Sequence, residues 1–427
     1  MADTQQQRVV ITGLGVVAPN AVGLDAYERA LRDGVSGIRF IEQMAELKFA
    51  CQVAGAPQGV DEIKGDYLSA EDLLAMNRSM TFAAIAGIDC WRDAGLDPVT
   101  ADTPTDFDTG AILGTGIGGM DTIVEKLVPK VNAGRVRRLG STLVEQIMAS
   151  SVSAKLGGLL ALGGQVTTNS SACTTGTEAI VDAFLTLRGG RGKRMLAGGA
   201  EADSVYIWSG FDAMRVLNRK SNDAPDAASR PMSATAAGFV PGSGCGALML
   251  ETLDSAQARD ARIYAEVIGG HVNSGGHRNG GSMTAPNPDG VVRCIRTAMH
   301  QAGITSDQVD AINGHLTATF ADPHELANWQ HALDLPADAL PPVNATKSMI
   351  GHALGAAGGL ECVASVLQLH KGFLHGSLNC EDLHPDIEKY SGSVVRETRA
   401  FDGNILAKSS FGFGDVNGCV LFKKWEH

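Results

Sequence analysis

Three side chains able to carry acyl-transfer chemistry lie in stretches of small residues. Cys173 sits in Thr167-Thr168-Asn169-Ser170-Ser171-Ala172-Cys173-Thr174-Thr175-Gly176-Thr177-Glu178, His315 in Asn313-Gly314-His315-Leu316-Thr317-Ala318-Thr319, and His352 within Lys347 to Gly358. A thiolate can hold an acyl group as a thioester, and two imidazoles can donate toward a carbonyl oxygen or stabilise an enolate. Each of the three alone is more commonly structural, since free cysteines are often buried and a histidine just past a strand is often a hydrogen-bonded core residue. As a set they suit acyl chemistry, provided that the fold brings them together.

The elements around them come next. Gln165 to Thr168 reads as a short strand, the small residues after it as a turn, and Glu178 to Phe184 as a helix, so Cys173 falls near a helix start. Unpaired N–H groups and the positive helix end there are expected to lower the thiol from its reference pKa of about 8.5. Val9 to Thr12 followed by Gly13-Leu14-Gly15 reads as a buried strand and a tight glycine turn; no helix opens at a third glycine, so a dinucleotide site is set aside. Ala111 to Gly114 feeds another glycine turn that lacks the Gly-Lys-Ser/Thr of a P-loop. Leu73 to Leu96 is expected to be one long core helix, and 217 to 230 an exposed loop. After a boundary near 252–256 the alternation of strands and helices resumes, with strands over Val309 to Asn313, Ile405 to Gly414 and Val416 to Phe422 and a buried helix over Ala357 to His370. Each half therefore reads as a mostly buried sheet with helices on its faces.

The chain has 427 residues, a net charge of −12, 44% apolar residues and 52 glycines, which suits a large α/β protein with many close approaches. Its eight cysteines form no CxxC pair, which argues against a zinc, iron–sulfur or disulfide scaffold and for a reducing compartment. The acidic balance disfavours nucleic acid. Met1 to Gln7 is polar, with no signal-peptide pattern, and the longest apolar runs are too short and glycine-rich to span a bilayer, so a cytoplasmic location is expected. Lys126, Lys130, Arg135, Arg137 and Arg138 form a basic cluster, either a solvated face or a docking patch for an acidic partner.

The segments around Cys173, Asn313 to Thr319, Lys347 to Gly358 and Ser410 to Asn417 occur in the order and spacing found in the β-ketoacyl-acyl-carrier-protein synthases, and the chain resembles that family over essentially its whole length. The resemblance implies a thiolase-like, five-layered αβαβα fold of two fused halves, here 1–253 and 254–427, and a dimer, either a homodimer or a heterodimer with a related subunit. It implies that Cys173 is the acylated nucleophile, that the backbone N–H groups of Cys173 and Phe413 form the oxyanion hole, and that His315 and His352 bind the malonyl thioester and promote its decarboxylation. Lys347 and Glu361 match the supporting charged pair, Phe413 the gate, and Thr317 and Thr319 the residues that hold the phosphopantetheine arm. The basic cluster then falls where the family docks its acyl carrier protein, and no metal or redox cofactor is needed.

Several positions depart from the family pattern. Leu316 to Phe320 replaces Gly-Thr-Ser-Thr-Pro after the first histidine, and the following acidic positions, Asp322 and Glu325, come one residue early. Ser233 to Ala237 lacks the usual charges, and Asp415-Val416 replaces Gly-Thr after the gate. Two alternatives stay open: a chain-length-factor-like partner of another synthase, against which the retained Cys173, His315, His352 and Lys347 argue, and a thiolase using Cys419 as its second cysteine.

Overall fold

The computed structural model describes residues 6–426; the polar stretch Met1 to Gln5 lies outside them. Ten strands carry the architecture, five from each half. They are β1 (Val9–Ala18), β2 (Thr109–Gly114), β3 (Val166–Thr167), β4 (Arg194–Glu201) and β5 (Gly244–Thr252), then β6 (Ala265–Ser274), β7 (Ala311–Asn313), β8 (Val343–Asn344), β9 (Ile405–Gly412) and β10 (Val416–Lys424). The first five lie in the order β3-β2-β4-β5-β1 and the second five in the order β8-β7-β9-β10-β6. In each half the second strand pairs in parallel with the third and fourth, and the remaining pairs are antiparallel. The two halves thus share one topology, and they meet where β1 pairs with β6 through Val9↔Val267.

Helices fill the other layers: α1 (Arg78–Asp93), α2 (Ser151–Leu159), α3 (Thr175–Arg188), α4 (Pro288–Ala302), α5 (Asp322–Leu333) and α6 (Ala357–Lys371). α1 and α2 cover the outside of the first sheet, α4 and α5 stand outside the second, and α3 and α6 pack on each other and on strands of both halves. Every residue of α6 from Ala357 to Leu369 is buried, as a helix between two sheets must be, and Glu361 is its one charged residue in that span. α3 and α6 approach closely because glycines face each other there: a Cβ on Gly176 would lie 2.4 Å from the Gly359 nitrogen.

Some expectations need correction. Gly13 and Gly15 form no turn; β1 runs straight through them, all ten of its residues buried, and a Cβ on Gly15 would meet the Ala86 carbonyl of α1 at 1.9 Å. These glycines serve helix–strand packing. The single helix expected over Leu73 to Leu96 is two, Ala70–Leu74 and α1, because the Asn77 side chain accepts from Met80 N–H and caps the second. The 217–230 segment is an exposed loop only in its middle, since Leu217, Asn218, Ala228 and Ser229 are buried.

Candidate active site

The duplicated topology puts the reactive groups at equivalent places in the two halves. After β3, Ala172 turns the chain through φ 51° into a one-turn helix, Ala172–Thr174, that leads into α3; after β8, Leu354 does the same with φ 50° ahead of α6. Cys173 stands in the first of these turns, and His352 just before the second. The N-termini of both central helices therefore converge on one point, with their free N–H groups and positive ends. His315 enters from the loop after β7.

These three residues come together. Nε2 of His352 lies 3.0 Å from Sγ of Cys173, the two imidazoles meet edge to face with centroids 5.3 Å apart, and the reactive atoms of all three fall within 4.8 Å of one another. Nδ1 of His352 accepts the Leu354 backbone N–H at 3.2 Å, and Nδ1 of His315 faces the Lys347 ammonium at 3.3 Å. With Nδ1 occupied as an acceptor, each neutral ring carries its proton on Nε2, toward the reaction space. Burial holds both histidines well below their usual pKa, with Lys347 acting in the same direction, so they are neutral donors at physiological pH.

The cysteine differs from the expectation. Burial pushes its thiol up to about 11, and the Lys347 ammonium and the Phe413 N–H, which points at the sulfur, pull it the other way. Desolvation at this site outweighs the oppositely acting groups in the resting protein. Phe413 arrives beside Cys173 because Gly412 has no side chain: a Cβ there would lie 3.1 Å from the Cys173 nitrogen.

Lys347 donates to Glu361 and, at 2.7 Å, to the His315 carbonyl. A second lysine, Lys408 on β9, takes the other oxygen of Glu361 at 2.8 Å. The His315 loop is held by the two acidic residues that start α5. Glu325 accepts the N–H groups of His315 and Leu316 at 2.6 and 2.7 Å, and Asp322 accepts those of Thr317 and Met232 at 2.9 and 2.8 Å. That support keeps Leu316 at φ 24° and Ala318 at φ 61°, conformations that side-chain-bearing residues rarely adopt. Behind the other wall, Glu201 at the end of β4 accepts from Gly116 and Gly355 N–H at 2.9 and 3.0 Å, tying the turn after β2 to the start of α6.

A cavity of about 580 Å³ opens from Cys173, His315 and His352. Thr317 and Thr319 line it, their hydroxyls 3.0 Å apart, as do Phe413, Phe211 and Phe239. Phe413 stands 6.1 Å from Phe211, and Phe239 packs edge-on to His352 at 5.2 Å. The basic residues from Lys126 to Arg138 do not line it. Arg135, Arg137 and Arg138 are exposed, whereas Lys126 already donates to Gln146 at 2.6 Å.

Lys408, Glu325, Asp322 and Glu201 were not assigned roles from sequence. Lys408 and Glu201 did carry a signal: Lys408 is the one charge in its strand, and Glu201 closes a run of apolar and small residues, Met195 to Ala200. No helix among the described residues is long and apolar enough to cross a membrane.

Comparison with known proteins agrees with this geometry. Residues 6–256 match the β-ketoacyl synthase N-terminal domain and residues 264–381 its C-terminal domain. The chain is 34% identical over 424 residues to the chloroplastic 3-oxoacyl-acyl-carrier-protein synthase I of Arabidopsis thaliana, covering 99% of this chain and 87% of that one. It is also 34% identical over 423 residues to 3-oxoacyl-acyl-carrier-protein synthase 2 of Vibrio harveyi, covering 98% and 99%. Among solved structures, the ishigamide ketosynthase/chain length factor superposes with a TM-score of 0.87 at 29% identity, over 99% of this chain and 100% of that one. A cysteine and two histidines held between duplicated halves, in a chain that matches both domains, place this protein in the β-ketoacyl synthase family of thiolase-like condensing enzymes.

Proposed function

We propose that this protein joins a carrier-bound acyl chain to malonyl-acyl carrier protein by decarboxylative Claisen condensation. The observation that carries the reading is the 3.0 Å approach of His352 Nε2 to the Cys173 sulfur, with His315 completing the set. In the first step the Cys173 sulfur attacks the acyl thioester, and the proton that its thiol gives up ends on the departing carrier sulfur. The carbonyl oxygen becomes an oxyanion held by the N–H groups of Cys173 and Phe413, each worth roughly 3 kcal/mol, and collapse expels the carrier thiol. In the second, the malonyl thioester carbonyl accepts from Nε2–H of His315 and of His352. The bond to the carboxylate breaks, carbon dioxide leaves, and its electron pair passes into an enolate that the two donors stabilise. The enolate carbon then attacks the Cys173 thioester, and the second tetrahedral oxyanion collapses to the β-ketoacyl product and the free Cys173 thiolate.

Supporting roles follow from position. Lys347 with Glu361 orients His315, Thr317 and Thr319 receive the phosphopantetheine arm, and Phe413 gates the acyl pocket. The halves 1–253 and 254–427 act as one unit, and the active form is a dimer with itself or with a related subunit. Lys130, Arg135, Arg137 and Arg138 offer the acidic carrier protein a docking face, with Lys126 beside them. We keep a cytoplasmic location as part of the proposal, to be checked by fractionation.

The test is the mass of the intact protein after exposure to carrier proteins loaded with short, long or unsaturated chains, then to malonyl-carrier protein, with Cys173→Ala in parallel. Acyl mass on the wild type alone, chased into a product two carbons longer, supports the reading. No acylation with any chain, together with activation of a separate synthase by this protein, overturns it in favour of a partner subunit.

A further inference from the structure

Lys408 is fully buried on β9, three residues before Phe411; its ammonium forms an ion pair with Glu361 Oε2 at 2.8 Å and donates hydrogen bonds to the Ser409 carbonyl and, at 3.1 Å, to Ser410 Oγ. Ser410 passes the contact on, its hydroxyl lying 2.8 Å from that of Thr177 on α3, the Cys173 helix. Cross-strand, Lys408 is the register partner of Asn313, two residues before His315. It thus touches α6 directly, reaches α3 through Ser410, and pairs across the sheet at the base of the His315 loop.

A lysine in that position changes the charge balance. Lys347 and Glu361 alone would form a closed, neutral pair. With Lys408 on the second oxygen, one buried carboxylate serves two buried ammonium groups, and the set carries one positive charge in excess. Burying such a charge is costly unless it has a partner, and among the described residues the ion pairs of this set run to Glu361 alone, with the buried Glu325 carboxyl acting on Lys347 through space. The charged and titratable groups around it are Glu361 and Cys362 on α6, Cys419 on β10, Lys347, and Glu325, reached through Ser409. The excess charge faces His315 and His352.

We propose that Lys408 is a positioning residue of the condensing centre, which shares Glu361 so that Lys347 stays on His315 and supplies an excess positive charge that keeps both imidazoles neutral. The proposal rests on the condensing role of the site. Field and geometry act together: a positive centre opposes imidazolium, preserves two Nε2–H donors, and favours the negative charge that develops on the thiolate and the enolate.

The test follows histidine ring signals in selectively labelled protein, assigned with His315→Gln and His352→Gln, alongside malonyl-carrier decarboxylation, both against pH. Wild type, Lys408→Met and Lys408→Arg are compared. In the wild type neither histidine titrates near pH 6.5. Lys408→Met raises their midpoints by about one unit and moves the acid limb of decarboxylation up with them; Lys408→Arg, which disturbs packing but keeps the charge, leaves the midpoints at their wild-type values. Equal behaviour of the two variants, or unmoved midpoints in Lys408→Met, overturns the proposal. Should Lys408→Met fail to fold, a wild-type midpoint near 6.5 for either histidine overturns it as well. Midpoints that move as expected in a protein that never decarboxylates malonyl-carrier would instead remove the condensing reading and leave the charge effect of Lys408 standing.

Discussion

The backbone N–H of Leu354 donates to Nδ1 of His352 at 3.2 Å, and through it the backbone at the start of α6 decides which nitrogen faces Cys173. Leu354 can do this because its positive φ turns its amide back toward the ring. The result is an Nε2–H aimed at the sulfur, a donor rather than a base.

His352→Ala is therefore expected to keep part of its acyl transfer to Cys173 while losing malonyl decarboxylation by roughly 10² to 10³-fold, the cost of one preorganised donor to a developing oxyanion. Separate assays of acyl-enzyme mass and of carbon dioxide release check it. Equal loss in both steps would mean that the histidine serves the nucleophile alone.

Glu201 gives a pH signature. Burial raises its carboxyl from the ordinary glutamate pKa of about 4.5 to about 7 in the folded protein. The folded state holds the proton longer than the unfolded state. The stability contribution is therefore complete below about pH 4.5 and is lost as pH rises to about 7, by about 3 kcal/mol over that window. Glu201→Gln can keep the contacts, its amide oxygen accepting from Gly116 and Gly355 and its amide nitrogen donating to Thr115. Urea unfolding from pH 4 to 8 is expected to show a smaller decline in the variant than in the wild type. Superimposable profiles would refute the assignment.

Asp415 replaces a small residue after the gate, and its carboxylate binds a loop. It is fully buried at φ 59° and accepts the N–H groups of His277 and Asn287 at 2.9 and 2.7 Å, while Gly414 N–H donates to the Met283 carbonyl at 2.9 Å. The Phe413 turn and the 275–287 loop are thereby one unit. Asp415→Ala leaves two amides without their acceptor, at a cost of roughly 2 kcal/mol. Trypsin cleavage after Arg278 should accelerate well before global unfolding. Unchanged cleavage would show that the loop holds without the carboxylate.

The basic face predicts a kinetic split. Arg137→Glu with Arg138→Glu should raise KM for acyl-carrier protein several-fold and flatten its salt dependence, while acylation by a small acyl thioester stays unchanged, because neither arginine lines the cavity. A loss shared by both substrates would place the effect in folding.

Cys173, His315 and His352 stood out in the sequence as candidates because small residues surround each of them, whereas Lys347 and Glu361 were singled out only by the resemblance to the β-ketoacyl synthases. The strand–helix alternation was readable because buried strands and amphipathic helices leave periodic patterns. Gly13 and Gly15 misled, because a glycine required by a helix across the sheet looks, in one dimension, like a glycine required by a turn. The pKa of Cys173 misled as well. A helix start is visible in sequence, but desolvation depends on everything packed around the sulfur. Local pattern singled out three candidate reactive residues and an α/β class, and the resemblance of the motifs supplied the thiolase-like arrangement. Only the tertiary structure decided the charge and tautomer of the site, because Lys408, Glu325 and Leu354 reach it from separate elements, and fields and hydrogen bonds act through space rather than along the chain.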